Sequence, residues 1–173
     1  MTTPRLISLL AFCCLSASGA HYYVDSRAGD DGNPGTTPLT PWRSLEKVNA
    51  ARFQPGDRML FRAGSAWSGQ LLITAQGAPG RPVTFQMVGR GPPPRIDAGG
   101  RFEDAVILSN AQHLVFRDFE LTNTGTNSSA TNRPLRRAVH IVGDNAGTLG
   151  GIVVSDLYIH DVNGTQKRKD NGG

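Results

Sequence analysis

Leu114-Val115-Phe116-Arg117-Asp118-Phe119-Glu120-Leu121-Thr122-Asn123 aligns without a gap on Ile152-Val153-Val154-Ser155-Asp156-Leu157-Tyr158-Ile159-His160-Asp161. Apolar residues fall on apolar residues, Asp118 on Asp156 and Asn123 on Asp161. A run beginning Ala-Val precedes each block: Ala105-Val106-Ile107-Leu108 and Ala138-Val139-His140-Ile141. Two strand-turn-strand units in the same order predict coils of a solenoid, with loops such as Gly125–Arg137 bulging outward. Each strand then pairs with its equivalent one coil on, about 4.8 Å away. Its side chains alternate between a stacked apolar interior and an exposed face.

The rest of the chain agrees with that unit. Short apolar runs cut by Gly, Asn and Asp recur at Met59–Phe61, Leu71–Thr74 and Pro82–Val88. β-branched and aromatic residues dominate them. With 21 Gly and 11 Pro among 173 residues and only 18% charged, the chain is too poor in helix formers for a bundle or coiled coil. One helix is expected, from Pro41 to about Ala51. Thr40 would cap it, Pro41 suits its first turn, and Trp42, Leu45 and Val48 share one face. The preceding GDDGNPGTTPLTP, Gly29 to Pro41, reads as a loop. The expected class is all-β with one short capping helix.

Residues 1–20 read as a secretory signal peptide: Arg5, an apolar stretch from Leu6 to Leu15, and the small residues Ser18-Gly19-Ala20. Cleavage between Ala20 and His21 is expected, placing the protein outside the cell, in the periplasm or on the cell surface. The alternative, lipid attachment at Cys13 behind Leu10-Ala11-Phe12, is weakened by Phe12, where a small residue belongs. Both cysteines, Cys13 and Cys14, lie in this segment, so the mature chain has no disulfide or thiolate chemistry. No stretch is long enough for a transmembrane helix. A net charge of +4, scattered along the chain, does not point to nucleic acid. Residues 21–57 then form an N-terminal loop and capping helix, and 58–173 the first coils. No strand matching Ala138–Val142 follows Gly173, and no polar cap replaces one, so a C-terminally truncated, N-terminal part of a longer solenoid is expected.

The opening YYVDSRAGDDGNPGTTPLTPWRSLEKVNA, then PGDRMLFRAG, then GAPGRPVTFQMVGRGPPPRIDAGG, resembles secreted bacterial right-handed parallel β-helix proteins of the pectin-lyase-like superfamily. The resemblance implies a helix that caps the first coils. It also implies a polysaccharide partner, acted on by a lyase or a glycoside hydrolase. Ca²⁺ as cofactor is implied by the resemblance alone.

A uronate lyase needs a base and a cation to stabilise an enolate-like state, whereas a hydrolase needs two carboxylates across the scissile bond. Asp118 and Asp156 would stack about one strand spacing apart and are the candidate metal pair. The competing reading makes them turn residues in left-handed geometry. Asp30 and Asp31 lack the spacing of a Ca²⁺ loop and read as turn residues. Alternation turns His140, Tyr158 and His160 outward, where they would stack on and hydrogen-bond sugar rings. Arg136 and Arg137 with Lys167, Arg168 and Lys169 form a basic group suited to an acidic glycan, or a solvated loop. Trp42 and Trp67 are expected in the core. The leading functional expectation is an exported lyase-like or hydrolase-like enzyme part acting on an acidic glycan. The rival is a non-catalytic, adhesin-like or glycan-binding scaffold.

Overall fold

The computed structural model describes residues 19–126 and 135–164. The signal segment up to Ser18 and the cluster Lys167-Arg168-Lys169 lie outside the described residues.

The elements follow as β1 (His21–Val24), α1 (Leu45–Ala50), β2 (Arg58–Arg62), β3 (Ala66–Ser68) and β4 (Leu71–Ile73), then β5 (Val83–Val88), β6 (Arg95–Asp97) and β7 (Asp104–Ser109). The chain continues through β8 (Leu114–Arg117), β9 (Glu120–Asn123), β10 (Arg137–Val142), β11 (Ile152–Ser155) and β12 (Tyr158–Val162). From β2 onward every third strand shares a sheet, and β1 adds to the edge of the first. The first sheet runs β1-β2-β5-β8-β11, the second β3-β6-β9-β12 and the third β4-β7-β10. All the strand pairings are parallel. The fold is therefore a right-handed parallel β-helix with three faces, the handedness that parallel crossovers adopt.

The repeat is one coil of this helix. Leu114 pairs Ile152 and Phe116 pairs Val154 in the first sheet, while Leu121 pairs Ile159 in the second. Inside, equivalent positions stack: Met59, Phe85 and Phe116 form one ladder, and Trp67, Ile96 and Leu121 another. Phe119, buried at the corner between β8 and β9, stacks on Phe116 at 4.5 Å and meets Phe61 edge-on at 4.9 Å. Such ladders bury large rings completely, which suits a narrow solenoid bore. In the last described coil the same ladders lie open, with Val154 37% and Ile159 48% exposed, against none for Phe116 and Leu121.

Asp118 (φ 67°) and Asp156 (φ 53°) make the sharp corners between the first and second sheets. A short polar side chain tolerates this left-handed geometry. Their carboxylates interact locally, Asp118 with Arg117 at 3.6 Å and Asp156 with the Ser155 hydroxyl at 2.9 Å. The geometry favours the turn role over a shared ligand role.

Three sequence expectations need correction. The helix starts at Leu45, not Pro41, and its N-cap is Ser44, whose hydroxyl accepts from the Lys47 amide. Trp42 is instead extended, its N–H donating to the Tyr23 carbonyl and its carbonyl accepting from Asp25. That bridge to β1 leaves no helical turn before Ser44. Asp31 then holds Ser44 by accepting from its amide and its hydroxyl, as well as from the Arg43 amide. Burial pushes this carboxyl up, but the Ser44 and Arg43 hydrogen bonds and the Lys47 charge hold it below its usual range. Secondly, β3 and β6 escape sequence reading, because three residues with one buried side chain, Trp67 or Ile96, show no alternation. Thirdly, Asn123 does not pair Asp161: it pairs Val162, across a bulge.

Helix α1 covers the first strand of the third sheet. Leu45 and Val48 are buried in the core with Trp42 and Trp67. Asn49 completes the seal, donating to the Gln70 carbonyl and accepting from the Leu72 amide, so its side chain acts as a neighbouring strand for the β4 edge. Gly35 (φ +74°) lies against the Trp42 indole, where a Cβ would sit 2.5 Å from Nε1. The glycine-rich loop is thereby closed over the cap.

Candidate functional site

The outer face of the second sheet carries most of the chemistry among the described residues. A depression of about 320 Å³ there is lined by Arg95, Asp97, Thr122, Thr124, His160 and Asp161. Strand register builds it. Arg95 on β6, Glu120 on β9 and Tyr158 on β12 stand in one row, and Asp97 pairs Thr122 in a parallel row. The bulge between Ile159 and Val162 puts an extra residue into β12, with Asp161 in left-handed geometry (φ 52°). Bulges re-aim side chains. Here His160 and its sequence neighbour Asp161 both reach the same groove instead of opposite faces.

His160 is clasped from both sides. Its Nε2 lies 3.1 Å from Glu120 Oε1 and its Nδ1 2.9 Å from Asp161 Oδ2. Hydrogen bonds to Asp161 and then Glu120, outweighing the cost of burial, raise its pKa above the ordinary histidine value. When protonated, the ring donates from both nitrogens to these carboxylates and has no lone pair for a substrate proton. Tyr158, 60% exposed, lies on its ring at 4.5 Å, offering an aromatic face beside the carboxylates.

Thr122 forms the floor of the depression. It is 6% exposed and lines the depression, yet its Oγ1 has no hydrogen-bond partner among the described residues. That oxygen is sealed from solvent, and a buried hydroxyl left unpaired costs free energy.

The other sequence candidates fall elsewhere. His140 is on the third sheet, its Nδ1 3.3 Å from Asp104 Oδ2, and is not brought to the groove. Arg137 pairs the buried Asp104 and the exposed Glu103, and the Asp104 hydrogen bond raises its pKa further. Arg136 is buried. Its guanidinium packs on Gly125 and Gly100 and donates to Asn163. These two arginines therefore hold loops together and do not form an open basic patch, because each has acidic or carbonyl partners within the fold. Ala20 and His21 enter the first sheet's edge, with His21 opposite Arg58. Arg95, Asp97, Glu120, Thr122 and Asp161 were missed by sequence reading. Two blocks alone hid the three-coil row Arg95–Glu120–Tyr158, whose first member lies on an unrecognised strand. Asp161 required knowledge of the bulge.

The His160 clasp has a measurable consequence. Its folded pKa is raised, so its contribution to stability is fully present below the unfolded value of about 6.5 and is lost as pH rises through the folded value. A proton NMR titration is expected to show His160 titrating above the ordinary histidine value of about 6.5, and Glu120→Gln should bring it down. A His160 midpoint at or below 6.5 would contradict the clasp.

No protein-family model matches the chain. It is 29% identical to the lacto-N-biosidase of Bifidobacterium longum over 91% of its own length and 13% of that protein's. A shorter match, 34% identical over 42% of the chain, is to alpha-1,3-galactosidase A of Akkermansia muciniphila, of which it covers 12%. Among solved structures, the GH136 lacto-N-biosidase of Eubacterium ramulus superposes with a TM-score of 0.77 at 31% identity, over 89% of this chain and 29% of that one. A rhamnogalacturonan lyase shares the fold at TM-score 0.58 and 19% identity, covering 80% of this chain and 36% of that one. The chain spans about one eighth of the length of the curated relatives it matches. The chain is a parallel β-helix similar to part of proteins named as glycoside hydrolases.

Proposed function

We propose that the chain is the N-terminal part of an exported glycoside hydrolase of the lacto-N-biosidase kind, and that the second-sheet groove binds its glycan. The observation that carries the binding role is the juxtaposition of exposed Tyr158 and clasped His160 with the Asp97 and Asp161 carboxylates along one depression. A pyranose packs its apolar face on Tyr158. Its hydroxyls donate to Asp161, Glu120 and Asp97, while Arg95 donates in return. The charge of this surface favours a neutral sugar. Three carboxylates face one arginine and one imidazolium already committed to two of them, so a uronate would meet net repulsion. This surface accordingly does not favour the acidic glycan expected from the basic residues together with the resemblance. Hydrolysis is supported over elimination because the relatives near 30% identity carry hydrolase names, while the lyase likeness is one of fold.

Titration of the 173-residue chain with lacto-N-biose-terminated oligosaccharides and with oligogalacturonates, by calorimetry, tests this. Binding of the neutral series is expected, with Tyr158→Ala weakening it about tenfold, equivalent to about 1.4 kcal/mol. Reducing-end assays run alongside separate a hydrolase part from the non-catalytic scaffold, which binds and releases no product. Preferential binding of the uronates, or an unaffected Tyr158→Ala variant, would overturn the proposal.

A further inference from the structure

The small residues before His21 allow three peptidase frames, with cleavage after Ser18, Gly19 or Ala20, since each leaves small residues at the last and third-last leader positions. The fold treats these frames differently. The Ala20 amide donates to Asp57 Oδ1 at 2.8 Å, and the Ala20 carbonyl accepts from the Arg58 amide at 2.8 Å. Asp57 is 3% exposed, and its other oxygen accepts from the Gln54 amide at 2.8 Å. Cleavage after Ala20 would strip a buried carboxylate of one donor and Arg58 of its acceptor, at the start of the β1–β2 ladder.

We propose that the exported chain is processed between Gly19 and Ala20, and that the new α-ammonium of Ala20 docks on the Asp57 carboxylate. This frame keeps both hydrogen bonds and converts the first into a charge-assisted ion pair. Cleavage after Ser18 would carry the ammonium one residue away from Asp57, onto Gly19. That residue presses on the Gly56 backbone, where a Cβ would meet the Gly56 oxygen at 1.9 Å. The N-terminus then serves as a built-in counter-charge that fastens the first strand. The inference rests on export and is independent of the glycan reading.

Intact-mass analysis of the full chain, expressed with its own leader in a bacterial host and recovered from the exported fraction, is the direct test. A chain starting at Ala20 is expected. A start at Met1, Gly19 or His21 overturns the assignment. A second measurement reads the ion pair itself: chains starting at Ala20, at Ala20 with an acetylated terminus, and at His21 are melted in parallel. The acetylated and His21 forms should melt roughly 3–6 °C lower, and Asp57→Asn should abolish the difference between free and acetylated Ala20. Equal melting of all three forms would remove the proposed docking. Glycan titration of the Ala20 form, unchanged by acetylation, separates this result from the groove's.

Discussion

Leu45→Asp is expected to lower the unfolding free energy by about 4–5 kcal/mol, a large part of the total stability of a domain this size. Leu45 is 2% exposed and lies in the core with Trp42, Val48 and Trp67. The substitution removes a buried isobutyl group and puts an unpaired carboxylate between the helix and the β4 edge. Either the charge stays buried or α1 lifts away, which also undoes the Asn49 contacts to Gln70 and Leu72. Denaturant unfolding measures the loss, and Leu45→Ala, expected near 3 kcal/mol, isolates the cavity from the charge. Stability within about 0.5 kcal/mol of the parent would show that α1 does not seal the first coil.

Asn123→Leu should cost about 3–4 kcal/mol, although it keeps the side chain's size and adds apolar character. Asn123 has no exposed surface. Its Oδ1 accepts from the Gly100 amide at 3.0 Å, and its Nδ2 reaches the carbonyls of Phe102, Glu103 and Arg137 at 3.1, 3.1 and 3.3 Å. One amide thus joins β9 to the loop before β7 and to the start of β10. Leucine leaves several of these backbone groups buried without a partner. Asn123→Asp is expected to be nearly as damaging, because carbonyls would face an acceptor. Thermal melts of the two variants check this, and parent-like stability for Asn123→Leu would sink the idea.

Asn123 also marks where sequence reading stops. Its alignment with Asp161 fails at the bulge, whereas the register of Ile152–Ser155 on Leu114–Arg117 follows the repeat residue by residue. That part was legible because interior side chains stack on their own kind, so each coil repeats the apolar pattern of the one before. Mostly β class, stacked coils and the corner positions of Asp118 and Asp156 come from that local repetition. Hydrophobic stripes likewise foretold Leu45, Val48 and Trp42 as cap residues, though not that Trp42 is extended.

The groove is a different matter. Outward positions carry no packing constraint from the next coil, so their residues change from Arg95 to Glu120 to Tyr158 and leave no repeat to read. Its central contact, His160 between Glu120 and Asp161, joins residues forty positions apart through one bulge. Alternation in the sequence alone would have sent His160 and Asp161 to opposite faces. Periodic side-chain burial, a local property, was therefore determined by the sequence, while the meeting of His160 with two carboxylates was decided by the tertiary register, because only stacking of distant coils sets which surface groups become neighbours.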